Sequence, residues 1–302
     1  MIINQLLISS LLFLSVQAIP RGLLDRRVPP DFKRDPGRQR GCGTLISPDR
    51  ADDLENQFQG LKPPPSLFLA VNHSTPAVIP VYWHAIAENK TAEGGWIPKH
   101  QLKLQMDVMN ADYNSTGIQF HHVSTTRVIN KLWFRNVTLN DEDQLELPMK
   151  KRLRRGDAGT LNIYTVSFQN DGTLGFAAYP ADYNQYSVYD GIVIRYTTLP
   201  GNPTPPYNLG RTLTHETGHW LGLYHTFQGE SCDGPGDYVD DTPQHSVENF
   251  GCPSSVDTCV GGGDDPIHNF MDYTDDDCMN QFTLGQTDRL KDQIRTFRNI
   301  TV

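Results

Sequence analysis

Short apolar runs and alternation dominate the middle of the chain. Val78-Ile79-Pro80-Val81-Tyr82-Trp83-His84-Ala85-Ile86 has the β-branched and aromatic content of a strand. Ile118 to Ile129, Leu161 to Phe168, Leu174 to Tyr179 and Gly191 to Thr197 read the same way, and Asn170-Asp171-Gly172 supplies a turn between Phe168 and Leu174. Lys99 to Tyr113 mixes helical spacing with alternation. Pro98 at its start, and the lack of a turn residue within it, favour a helix. A closing helix follows Thr283, with Leu290, Ile294 and Phe297 at i, i+4 and i+7. Between Cys232 and Cys278 the chain is rich in Gly, Pro and Asp and has too little apolar periodicity to build a core. The pattern predicts an α+β chain with an irregular C-terminal part.

The N-terminus reads differently. Leu6 to Val16 is apolar and ends in Val16-Gln17-Ala18, so residues 1–18 are expected to be a secretory signal peptide. Residues 19–41 hold Arg26-Arg27, Lys33-Arg34 and several prolines, a flexible propeptide with dibasic processing sites. Pro63-Pro64-Pro65 then looks like a stiff linker. The expected division is signal peptide 1–18, propeptide and linker 19–65, and one globular domain 66–302, with an N-terminal subdomain to about residue 225 and a C-terminal one from 226 to 302.

Charge narrows the partners. The net charge is -9, and residues 19–41 carry seven basic and three acidic side chains, so the rest of the chain stands near -13 (-9 minus +4). A nucleic-acid partner is not expected, and no apolar run after the leader is long enough to cross a membrane. Sequons at Asn72, Asn89, Asn114, Asn136 and Asn299 fit a secreted glycoprotein.

The chemistry sits in His215-Glu216-Thr217-Gly218-His219-Trp220-Leu221-Gly222-Leu223-Tyr224-His225. On a helix, His215 and His219 are one turn apart on one face and Glu216 projects beside them. His225 on the same unbroken helix would lie roughly 15 Å beyond His215, too far for one ion. A shared ion therefore requires the chain to reverse at Gly222, where a left-handed C-cap does so. Three neutral ligands leave one position on zinc for water, and Glu216 is placed to take its proton.

This H-E-x-x-H-x-x-G-x-x-H run, with the methionine turn Asn269-Phe270-Met271-Asp272-Tyr273 and with Cys232, Cys252, Cys259 and Cys278, resembles the pappalysin family of metzincin zinc peptidases from about Val78 onward. The resemblance implies a twisted mixed sheet with two long helices over it, a disulfide-stapled C-terminal subdomain and a secreted zinc endopeptidase acting on proteins or peptides. It further implies zinc on His215, His219 and His225, Glu216 as base and acid, Met271 as an apolar floor, and Tyr273 steadying the reacting carbonyl. The implied bridges are Cys232 with Cys259 and Cys252 with Cys278, although spacing alone allows three pairings. The strand from Leu174 to Tyr179 is implied to be the edge that pairs with substrate.

Further residues carry finer expectations. Cys42, the odd one of five cysteines, lies between Gly41 and Gly43 and is a candidate switch whose thiolate fills zinc's open position. Asp277, next to Cys278, is the candidate carboxylate for Arg or Lys after the scissile bond. Gly236-Asp237-Tyr238-Val239-Asp240-Asp241-Thr242-Pro243 is a candidate calcium loop. His73, His84, His100, His121, His122, His245 and His268 lack ligand spacing and read as ordinary polar residues. The rival class is a secreted metzincin-fold binding protein without activity, and Glu216, which binding alone does not need, argues against it.

Overall fold

The computed structural model describes residues 40–64, 76–138, 144–169, 172–203 and 205–302. The leader, the dibasic pairs, Asn72, His73 and the Asn170-Asp171 turn lie outside the described residues. Six strands form one sheet: β1 (Gly41–Cys42), β2 (Ala77–Ala87), β3 (Ile118–Ile129), β4 (Leu161–Val166), β5 (Thr173–Ala177) and β6 (Ile192–Arg195), in the order β1-β5-β6-β4-β2-β3. Among the described residues only the β5–β6 pair is antiparallel; every other neighbour pair is parallel. Every residue of β4 is buried, as two-sided coverage of a central strand requires.

The longer helices among the described residues are α1 (Pro48–Leu61), α2 (Lys99–Asp112), α3 (Lys131–Asn136), α4 (Glu146–Leu153), α5 (Arg211–Trp220) and α6 (Leu284–Arg298). On one face of the sheet Leu102, Met106 and Met109 of α2, Leu213 and Trp220 of α5, and Leu290 and Ile294 of α6 share a core with Ile79, Val81 and Ile163. The sheet's other face is also covered. Trp133 and Phe134 of α3 and Met149 and Leu153 of α4 pack there on Tyr164, Val166 and Phe176. The α6 start is a capping box between Thr283 and Gln286, which satisfies two backbone N–H groups that the first turn leaves open.

Two features depart from expectation. β5 is not an open edge here, because β1 lies alongside it in parallel. Between the flexible segment and the Pro-rich linker, where no element is expected, α1 forms, with Ser47 accepting a hydrogen bond from Arg50 N, Pro48 in the first turn, and Ala51, Leu54 and Phe58 buried. From residue 226 to α6 the chain is irregular, stapled by Cys232–Cys259 and Cys252–Cys278.

One buried cation fastens α6 to α5. The Arg298 guanidinium lies 3.6 Å from the Trp220 ring centroid, donates to Trp220 O at 2.9 Å and Ala158 O at 3.1 Å, and pairs with buried Asp190 at 3.1 Å. Arg298→Met keeps the packing volume but leaves Asp190 buried without this partner, and breaking such a pair costs about 3 to 5 kcal/mol. Urea unfolding should therefore show a loss of that order. A change below about 1 kcal/mol would mean that the pair contributes little.

Candidate metal centre and its plug

Helix α5 carries His215, Glu216 and His219, all buried, and stops at Trp220. Gly222 then takes φ 104°, and Leu223 N donates to Gly218 O at 2.9 Å, so the chain closes the helix with a left-handed turn and heads back. The reversal delivers His225. The Nε2 atom of His219 lies 3.2 Å from that of His215 and 3.1 Å from that of His225.

Hydrogen bonding sets the tautomers at two of these rings. His215 Nδ1 faces Phe270 O at 2.7 Å and His219 Nδ1 faces Leu223 O at 2.8 Å; a carbonyl only accepts, so each Nδ1 carries the proton and each Nε2 presents a lone pair. Burial keeps all three rings neutral, lowering His219 to about 4 and pushing His215 and His225 well below the usual imidazole range. Lone pairs converging in a dry site repel one another unless a cation stands among them. The donor set fits a metal ion bound by three imidazoles.

The surroundings fix these groups tightly. Met271 is fully buried, and a Cβ on Gly218 would collide with its sulfur, so the glycine within the histidine motif lets the methionine turn approach α5. The Tyr273 ring lies 4.9 Å from His225 and 5.8 Å from His215. Glu216 is buried against β5, where a Cβ on Gly175 would come within 2.8 Å of its side chain, and desolvation raises its carboxyl to about 7.

The segment at β1 enters this site. In extended chain alternate residues face the same way, and Arg40, Cys42 and Thr44 all point into the cleft. Cys42 Sγ lies 3.5 Å from His219 Nε2 and groups with the three imidazoles as a possible fourth ligand. Thr44 Oγ1 donates to Glu216 Oε2 at 2.9 Å and accepts from Ala177 N at 2.8 Å. Arg40 is buried: it pairs with Asp276 at 2.6 Å, donates to Thr274 O through Nε at 3.2 Å and Nη2 at 3.1 Å, and lies 4.9 Å from the Tyr207 ring centroid. Gly41 is obligatory between them, since a Cβ there would meet the Gly172 carbonyl.

Asp277 is not the carboxylate of this pocket. It is exposed, and its neighbour Asp276 is buried instead, with Oδ2 accepting from Leu209 N at 2.8 Å and Arg211 N at 3.3 Å ahead of α5. Backbone donors at a helix start outrank proximity to a disulfide in choosing which carboxylate is held. Arg40, Thr44 and Asp276 are not singled out by the sequence reading. For the first two, the two-residue spacing from Cys42 is the available signal.

His245 is not an ordinary polar residue. Its Nε2 meets Thr226 Oγ1 at 2.8 Å and its Nδ1 lies 3.6 Å from Asp265, while Asn249 bonds both Asp265 and Asp272. Asp272 in turn accepts from Tyr273 N at 2.8 Å. This buried network supports the methionine turn from behind. The loop of Asp237 lines a cavity of about 530 Å³, with Asp237 and Thr242 buried in its wall.

A sheet with two histidines on one helix, a third brought back by a reversing glycine, and a methionine under the site defines a metzincin-type metallopeptidase. The comparisons go further. The family model described as pregnancy-associated plasma protein-A matches residues 157–295. An extracellular metalloprotease of Colletotrichum graminicola is 40% identical over 86% of this chain and 92% of its own length, and extracellular metalloprotease 1 of Coccidioides posadasii is 40% identical over 79% and 89%. Among solved structures, an alanine variant of Tannerella forsythia promirolysin matches 85% of this chain and 95% of its own, with TM-score 0.68 at 26% identity. Mature mirolysin with a cleaved peptide matches 72% and 91%, with TM-score 0.60 at 28% identity. The chain belongs to the pappalysin family and is an extracellular metalloendopeptidase. Among the described residues no helix is long and apolar enough to cross a membrane.

Proposed function

We propose that this chain is made as a latent precursor of a zinc endopeptidase that cuts before arginine. The observation that carries the reading is the placement of Arg40, Cys42 and Thr44 against Asp276, the three histidines and Glu216. His215, His219 and His225 would hold the ion, and zinc bound there would supply Lewis acidity toward the scissile carbonyl and acidify water. Glu216 takes the proton of the attacking water and returns it to the leaving nitrogen. Tyr273, against His225, is assigned as the phenol that donates to the developing oxyanion.

Latency follows from occupancy of all three places by one strand. Cys42 stands at the ion, Thr44 bonds the base, and Arg40 fills the side-chain pocket. Residues 19–65 are then the pro-segment, a reading supported by the longer match to promirolysin than to mature mirolysin. Residues 1–18 serve as the export signal.

Specificity is assigned to Asp276. One of its oxygens is held by two backbone N–H groups and the other faces the guanidinium, so the carboxylate is preorganised for arginine. In β1 the order from pocket to ion to base runs Arg40, Cys42, Thr44, from N to C. A substrate whose arginine follows the scissile bond reaches the same pocket from the opposite direction. It therefore runs antiparallel to β5, where β1 runs parallel.

The acidic loop is assigned to calcium. Asp237, Asp240, Asp241 and the Thr242 hydroxyl line one cavity, a set of oxygens that suits an oxygen-seeking cation. Burial raises the Asp237 carboxyl to about 7. Without calcium, its protonated form supports the fold fully below the ordinary value near 3.9 and that support is lost as pH rises through about 7.

Four outcomes are expected. Glu216→Ala retains zinc by elemental analysis while peptide hydrolysis falls by about 10²-fold or more; loss of the metal would count against its assigned role. Arg40→Ala and Cys42→Ser each raise the activity of the unprocessed chain, and precursors as silent as wild type would sink the plug. Asp276→Asn lowers kcat/KM for peptides with arginine after the cut by about 10- to 100-fold, from the 1.5 to 3 kcal/mol of a charged hydrogen bond, whereas Asp277→Ala does not. A peptide library cut mainly before Leu or Phe would refute the pocket. Calcium raises the melting temperature more at pH 8 than at pH 6, and no effect at either pH removes the calcium assignment.

A further inference from the structure

Helix α1 is 14 residues long, a length that is marginal in water on its own, so the surface beneath it is what orders it. That floor consists of Tyr179, Ala181, Tyr224 and Phe297, into which Ala51, Leu54 and Phe58 pack. The rim is polar and matched. Asp182 pairs with Arg50 at 2.7 Å, Arg289 pairs with Glu55 at 2.8 Å, and the Tyr238 hydroxyl donates to Asp52. Arg289 also lies 5.5 Å from the Phe58 ring centroid. This is helix-in-groove recognition: apolar anchors at i, i+3 and i+7, with a basic residue before the first anchor and an acidic one after the second.

The floor borders the metal site. Tyr179 sets its ring edge-on to His219 at 5.7 Å, and Tyr224 is next to His225 in the chain. Loss of the pro-segment, as the latency reading requires, uncovers these aromatic side chains beside the cleft. In β1 the chain passes from the arginine pocket over the ion to Thr44 and then rises into α1. A substrate with arginine in that pocket runs the other way, so its residues before the scissile bond leave on the Thr44 side, toward the same floor.

We propose that the surface under α1 is a substrate exosite of the mature enzyme, which takes an amphipathic helix lying N-terminal to the cleavage site of a protein substrate. This rests on the latency and arginine-pocket readings above. Residues 48–61 are the built-in template of the ligand, and their chemistry states what it must carry: three apolar side chains in helical spacing, a cation for Asp182 and a carboxylate for Arg289.

The test uses the full-length chain after maturation, with mass spectrometry establishing that residues 48–61 have left; their retention on the body overturns the proposal. The probe is a fluorogenic peptide with one arginine among alanines, fused through a short Gly/Ser spacer to the sequence of residues 48–61. With that sequence ahead of the cut site, KM is expected to fall about tenfold relative to a scrambled fusion, with kcat little changed, since binding remote from the reacting bond acts alike on ground and transition states. Leu54→Asp and Phe58→Asp together in the fused sequence should abolish the gain, as should moving the helix behind the cut site. Equal KM for native and scrambled fusions overturns the exosite and leaves the peptidase reading intact. Failure to cut any of the peptides condemns the peptidase and pocket readings instead.

Discussion

Neutral imidazoles do not gather with their lone pairs facing inward in a dry interior without a cation among them, and much of this fold serves to hold them so. The carbonyls of Phe270 and Leu223 fix the tautomers of His215 and His219. The left-handed turn at Gly222 brings His225 back, and Gly218 gives Met271 room to close the floor. The irregular subdomain, which has little core of its own, is stapled internally by two disulfides and held behind this centre by the buried His245, Asn249, Asp265 and Asp272 network. The metal site is where the sheet half and the stapled half of the chain meet.

How much of this is legible in the sequence depends on whether the signal is local. The histidine spacing together with Gly222 requires a helix followed by a reversal, and both are found, because ligand geometry admits few backbones. Long strands with β-branched runs, such as β2 and β3, are legible for the same local reason. Helix α1 carries its own marks, with Ser47, Pro48 and the 51, 54, 58 spacing. Yet it reads as part of a linker, since its hydrophobic partners lie on distant segments. A two-residue strand such as β1 offers no alternation to detect at all. Asp276 differs from Asp277 only through the N–H groups of Leu209 and Arg211, contacts that span more than sixty residues of chain. His245 likewise acquires its partners only in three dimensions.

The plug joins these levels. Extended geometry supplies the spacing, glycine supplies the close approach, and three side chains then meet a pocket, an ion site and a base at once. None of the three contacts is extensive alone. Their effect comes from being linked on one short strand, so that each raises the local concentration of the others. Helix α1, docked beside them, anchors that strand to the body.

Chain direction carries a meaning here that side-chain identity does not. β1 lies parallel to β5 and, on the proposed specificity, presents an arginine where a substrate would present one while offering its peptide bonds back to front. A peptide group turned end for end sends its carbonyl and its nitrogen to exchanged positions, so with the roles proposed for them Tyr273 and Glu216 would face the wrong atoms. The same side chains in the same pockets therefore make a ligand in one sense of travel and a substrate in the other. A guard strand of this kind does not have to be uncleavable in composition; it is spared by its orientation.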